Sequence, residues 1–251
     1  MNRNTQPSSL AAQAPRTSPL PLSGISSMAT RLVLADLAQA WQAQGGEPVL
    51  IESVGGVEAA RRVAAGEAFD IVMLADDALV RLGTEGHVDL ATRVDIARSG
   101  IAFAVRSGTP PPELGSDAAV RAAVLAARRV GYSTGPSGTH LSKLLERWGI
   151  AQEMEARLVQ ARPGVPVALL VAQGEVDLGL QQVSELVNVE GVEIVAALPD
   201  SVQRVTVFAA ACTSALSAAR RAQAAAFLAF AAAPENDAIR ARHGMEAPRR
   251  A

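Results

Sequence analysis

The stretch "PVLIESVGGVEAARRVAAGEAFDIVMLAD", Pro48 to Asp76, decides how the rest of the chain is read. "PVLIESVGG" is an apolar run that enters a glycine turn, and "VEAARRVAAGEA" repeats small apolar residues at helical spacing until Gly66, a residue suited to ending a helix. "FDIVMLAD" is apolar almost without a break, the mark of a strand covered on both faces. Strand, helix, strand in that order implies a parallel pair joined by a crossover helix.

The same alternation extends in both directions. Upstream, "LPLSGI" (Leu20 to Ile25) reads as a short strand, and "SSMATRLVLADLAQAWQAQGG" carries apolar residues at helical spacing up to a Gly-Gly stop. Downstream, "DDALVRLGTEG" is helical and "RSGIAFAVRSG" is a strand. "TPPPELGSDAAVRAAVLAARRVGYS" then supplies a proline-rich loop, a helix and a strand, and "PSGTHLSKLLERWG" a helix. "RLVQAR", "VDLGLQQ", "VEIVAAL" and "VTVFAAACT" read as strands, "VPVALLVAQGE" as a helix, and the alanine-rich end as two helices broken near Pro234. The prediction is an open, mostly parallel α/β fold, long enough at 251 residues for two lobes. In such sheets ligands sit beyond the carboxyl ends of the strands.

Composition narrows the function. With 49% hydrophobic and 19% charged residues the chain has the make-up of a globular protein, and a formal net charge of -2 supplies no basic field for nucleic acid or an anionic membrane. No run of about 18 apolar residues is present, so membrane insertion is not expected. The single cysteine, Cys212, cannot form an internal disulfide or a metal cluster alone and reads as a buried small hydrophobe. His87, His140 and His243 lack metal-ligand spacing, so neither a metal nor a cofactor is expected. Residues 1–19 are polar and proline-punctuated, which predicts a disordered leader rather than a signal peptide. The chain as given is therefore expected in the cytoplasm, and an upstream start codon would make it periplasmic.

Polar loops recur where strands lead into helices: "SGISSMAT", "ESVGGVE", "YSTGPSGTH" and "RPGVPVA". A helix start leaves backbone N–H groups unpaired and carries about half a positive charge, so several aimed at one gap would hold a small anion. Ser, Thr and Gly before helices are also ordinary caps, so either reading stands for any one loop. No G-x-S-x-G elbow and no phosphate-binding P-loop is present. His140, in the first turn after Pro136, either faces such a gap or is a helix-surface histidine.

The order "SSMATRLVLADLAQAWQ", "SVGGVEAARRVAAGEAFDIVMLADDALVRLGTEG", "GPSGTHLSKLLERWGI", "GEVDLGLQQVSEL" and "ALPDSVQ" with "VTVFAAACTS" resembles the molybdate-binding, periplasmic type of substrate-binding protein, with a type II periplasmic binding fold. The resemblance implies two α/β lobes, residues 20–100 with 206–251 and residues 101–205. It also implies crossing strands near Ile101 to Val105 and Val205 to Ala209, with the ligand between the lobes. It puts an oxyanion-binding serine at Ser26 or Ser27, a small residue of the third loop at Ser137, and a backbone N–H ligand at Val165. Where the family carries a hydroxyl residue this chain has Gly55, Gly56 and Val57. Where it carries a tyrosine this chain has Gln181 or Gln182, which both donate and accept and so suit a carboxylate.

The expectation is a monomeric solute-binding protein that closes over a small anion, a molybdate-like oxyanion or a di- or tricarboxylate, and partners an ABC permease. The donors would be Ser26, Ser27, Ser133, Thr134 and Ser137, with the backbone of Gly55, Gly56 and Gly138. The alternative is the catalytic branch that the resemblance includes, aconitate isomerases, which shift a double bond without a cofactor. There His140 would be the base. Arg98, in "ARSG" before the first crossing, is either a carboxylate clamp or a solvated arginine.

Overall fold

In the computed structural model, which describes residues 20–249, the Pro48–Asp76 stretch folds as strand β2 (Val49–Val54), helix α2 (Gly56–Ala64) and strand β3 (Ile71–Ala75). All five residues of β3 are buried, as its unbroken apolar run requires. Helix α2 turns Ala59, Ala60 and Val63 inward and keeps Arg61 and Arg62 on its outer face, where they pair with Glu58, Glu52 and Glu67. The chain leaves it through Gly66 at φ +81, a left-handed conformation that costs glycine little. The expected leader, residues 1–19, lies outside the described residues.

The first part of the chain adds β1 (Leu22–Ser27), α1 (Arg31–Ala43), α3 (Asp76–Thr84) and β4 (Val88–Ser99). Then come β5 (Ile101–Arg106), α4 (Asp117–Ala126), β6 (Val130–Tyr132), α5 (Pro136–Arg147), α6 (Ala151–Met154) and β7 (Leu158–Gln160). The remainder forms α7 (Val167–Ala172), β8 (Leu178–Gln182), α8 (Val183–Leu186), β9 (Val192–Ala197), β10 (Thr206–Thr213), α9 (Ala218–Ala232) and α10 (Asp237–Arg242).

These strands make two five-stranded sheets of matching design, β2-β1-β3-β10-β4 and β7-β6-β8-β5-β9. In each, three strands run parallel and the fourth position is antiparallel to both neighbours. Apolar clusters cover both faces of each sheet. Leu34, Leu37 and Phe227 pack on one face of the first, and Leu79, Leu82 and Val63 on the other. Phe103, Leu141 and Leu145 anchor the second. Each such side chain contributes roughly 1.5 to 3 kcal/mol on burial.

Besides the short helices α6 and α8, which the pattern does not mark, the structure departs from the sequence reading in three places. Strand β1 continues to Ser27 instead of ending at Ile25, which sets the "SS" pair on the sheet itself. Strand β4 was not legible at all. Its pairing with β10 shifts register twice, and its Arg93 and Asp95 pair with each other, so neither alternation nor apolarity marks it. The chain changes sheets at Gly100, between β4 and β5, and returns through residues 198–205, between β9 and β10. Ile101–Val105 and Val205–Ala209 therefore lie almost wholly within one sheet each, next to the crossings.

Two glutamines bind the crossing segments together. Gln203 accepts from the Ile101 N–H at 2.8 Å and donates to the carbonyls of Ile101 and Leu198 at 3.0 and 3.2 Å. Gln182, with its amide oriented by the hydrogen-bond network, donates to the Ser99 and Gly100 carbonyls, both at 3.0 Å, and accepts from Thr206 Oγ1 at 2.8 Å. Among the described residues no helix is long and apolar enough to cross a membrane.

Candidate functional site

The carboxyl ends of the parallel strands in both sheets open onto one cleft of about 320 Å³. Ser27 ends β1, Gly55 and Gly56 follow β2, Ser133 and Thr134 follow β6, and Gln181 and Gln182 end β8. Helices α2 and α5, one from each lobe, begin at this cleft, with Gly55 and Gly135 as their caps. Their first-turn amides suit a negative guest. Helix α3 also starts here, but Asp76 and Asp77 occupy its first turn.

The adjacent serines of β1 part company because successive strand residues face opposite ways. Ser26 is wholly buried, with Oγ 2.8 Å from Ser53 Oγ, and is not in the cleft wall. Ser27 lines the cleft at 7% exposure, and its buried Oγ has no hydrogen-bond partner among the described residues. Buried hydroxyls are nearly always paired, so this one is free to bond a group from outside the chain.

Several expected ligands do other work. Ser137 sits behind the wall, 1% exposed, and its Oγ lies 3.1 Å from that of Ser133. Gly138 lets the chain pack closely, because a Cβ there would stand 1.7 Å from the Ser133 carbonyl oxygen. Val165 reaches the cleft, yet its N–H donates to the Arg162 carbonyl at 2.9 Å and is not free for a ligand. Gln182 holds the crossings, as described. The Gln181 oxygen accepts from the Val167 N–H at 2.9 Å, and its Nε2 donates to Glu185 Oε1 at 2.8 Å. Neither glutamine side chain is an idle donor.

Arg98 is a correction. Its guanidinium pairs with Glu246 at 3.0 Å, and its backbone bridges the same residue in both directions. It is absent from the cleft wall because β4 carries it toward the chain's end. His140, by contrast, lines the cleft, half-buried, with Nε2 2.7 Å from the Val202 carbonyl. That contact requires a proton on Nε2 and leaves the lone pair of the neutral ring on Nδ1. Burial, with the charges of Arg204, Arg147 and Lys143, holds its pKa below the ordinary histidine value against the raising influence of Val202.

Sequence reasoning missed the charged part of the site. Arg81, Lys143, Arg162 and Arg204 line the cleft from elements of both lobes, and none has a side-chain hydrogen bond or ion pair among the described residues. Asp77 and Glu185 line it too. Lys143 was within reach of a pattern argument, three residues after His140 on one helix, and Glu185 lies four after Gln181. The others carry no local signal. Glu185 is half-buried, and burial pushes its carboxyl up to about 7 against the lowering bond from Gln181.

Two helix-flanked lobes, each with a mixed sheet, strand ends converging on a shared cleft and two connections between them define the class of type II periplasmic binding folds. The chain belongs to the family of bacterial extracellular solute-binding proteins, whose model matches residues 22–246. Among solved structures it is similar to the periplasmic molybdate-binding protein of Azotobacter vinelandii, with a TM-score of 0.75 and 20% identity over 91% of this chain and 100% of that one. It is also similar to a sulfate-binding protein of Mycobacterium tuberculosis, with a TM-score of 0.70 and 19% identity over 90% and 86% of the two chains. A curated relative, the aconitate isomerase of a Pseudomonas species, is 38% identical over 155 residues, 61% of this chain. The match spans 58% of that protein's length.

Proposed function

We propose that the solute is a small carboxylate with two or three negative charges, held between the lobes, in preference to a tetrahedral oxyanion. The observation that carries this reading is an unsatisfied Ser27 Oγ together with Arg81, Lys143, Arg162 and Arg204, none with a side-chain partner among the described residues, around one cleft of about 320 Å³. Desolvated oxyanions such as molybdate can be held by neutral donors alone, and here two of the expected hydroxyl and aromatic donors are replaced by Gly56 and an occupied glutamine. Dispersed cations suit separate carboxylate groups, each able to take a charge-assisted bond. Closure of the lobes would present the loaded form to an ABC permease.

The test is a thermal-shift panel of molybdate, tungstate, sulfate and di- and tricarboxylates. A ligand at 100 times its Kd stabilises by about 2.7 kcal/mol, so a binder is plain to see. Carboxylates should raise the melting temperature, and a response to molybdate alone overturns the reading.

A second reading is favoured by the 38% identity to an aconitate isomerase. In it the bound tricarboxylate is isomerised by a 1,3-proton shift, with the cations holding its carboxylates. An ultraviolet assay of cis-aconitate without added cofactor tests it, and the absence of turnover retires it.

A further inference from the structure

We infer that Glu185 is the proton-shuttling base of this cleft, in place of the histidine to which sequence reasoning assigned that role; the inference rests on the isomerase reading above. Glu185 stands on α8, directly after β8, where the chain passes the crossings, and lines the cleft with its side chain half-buried. Its Oε1 accepts from Gln181 Nε2 at 2.8 Å, and Gln181 is itself held by the Val167 N–H. The carboxyl is thus oriented by a fixed neutral donor. Among the described residues its Oε2 has no hydrogen bond, and no cation lies within ion-pair distance although Arg81, Lys143, Arg162 and Arg204 share the cavity. With no cation in direct contact among the described residues, no ion pair draws down its basicity. Burial adds to this and brings the group close to neutrality, where both protonation states are populated and a proton can be taken and returned.

His140 is less suited to the task. Its Nε2 is tied to Val202, and the neighbouring positive charges weaken it as a base. As a neutral ring it serves better as a contact to a carboxylate or to the substrate body.

The step balances without another reactant. Ionised Glu185 takes a proton from the methylene carbon of cis-aconitate, and the C–H electron pair spreads over the allylic carbons and their carboxylates. The double bond moves, and Glu185 returns the proton to the former vinylic carbon. One C–H bond breaks and one forms. Unpaired cations around the cavity would hold the carboxylates while the added negative charge is present.

The experiment compares the wild-type chain with Glu185→Gln and Glu185→Asp, reading aconitate turnover across pH together with melting temperature, with and without trans-aconitate. The expected result is a fall in kcat of at least about 100-fold in Glu185→Gln, with ligand-induced stabilisation retained. Partial activity in Glu185→Asp with a displaced acid limb would support a base over a structural role. Turnover in Glu185→Gln within about threefold of wild type overturns the inference. So does loss of both turnover and ligand stabilisation, which marks a structural role. If Glu185→Gln does not fold, an unchanged pH profile in Glu185→Asp overturns it. A wild-type chain that is silent removes the isomerase reading itself, and the inference with it.

Discussion

Gln181 donates to Glu185 across 2.8 Å, from the penultimate residue of strand β8 to the short helix that follows it. The contact makes a sequence spacing of four into one arm of a site, and it leaves an acid with a single neutral partner facing a cationic cleft.

That acid makes stability depend on pH. A carboxyl raised from 4.5 to about 7 holds its proton more tightly folded than unfolded, so its contribution is intact below about 4.5 and is lost as pH rises through 7. The loss amounts to about 3 kcal/mol. Glu185→Gln should therefore melt several degrees above wild type at pH 8 and at the same temperature near pH 4. Equal melting at both pH values would show that the group is not perturbed.

Anion affinity should fall as pH rises through about 7, because ionised Glu185 adds a negative charge to a wall that also carries Asp77, opposing Arg81, Lys143, Arg162 and Arg204. Protonation of His140, whose pKa is depressed, changes the field in the same direction at lower pH. Calorimetry with the best ligand of the panel should give about a tenfold weaker Kd at pH 8 than at pH 6. In Glu185→Gln the upper part of that slope should vanish.

Arg204 lines the cleft and lowers the His140 pKa, and on the proposed reading it also holds the ligand. Its replacement by alanine should cost about 10- to 100-fold in carboxylate affinity, the worth of one charge-assisted bond. It should also raise the His140 pKa, since one of the charges depressing it is gone. An NMR titration of the ring reads the second effect independently, and a His140 pKa that stays put would place Arg204 too far away to matter.

Ser27→Ala separates binding from stability. Its Oγ has no partner to lose, so the empty protein should be as stable as wild type or more so by about 1 kcal/mol. Ligand affinity should drop by roughly tenfold. Denaturant melts and the thermal-shift panel measure the two.

Gly138→Ala should do the reverse and damage the fold. The added methyl would meet the Ser133 carbonyl at 1.7 Å, so the β6–α5 turn would have to open. A loss of more than about 3 kcal/mol is expected, in the range of a severe core lesion. A variant that melts like wild type would mean that this turn is not held as described.

The local pattern of the chain was enough for α2, β3, the start of β1, the helix–strand alternation, and the strand-to-helix loops that line the cleft. Ile71 to Ala75 is apolar without interruption, Gly66 ends α2, and the strand-to-helix loops carry serine and glycine, all signals within a few residues. The tertiary structure decided what the side chains at those loops do. Nothing local distinguishes Ser27 from Ser26, since one turns to the cleft and the other to Ser53. Arg98 was drawn to Glu246, 148 positions further along by sequence number, and the glutamines to Val167 and to the crossings. Strand β4 was hidden because ion pairs and bulges replaced its apolar alternation. Periodicity reports which face of an element is buried, whereas a cleft lined by Arg81, Lys143, Arg162, Glu185 and Arg204 exists only once two sheets bring distant parts of the chain together.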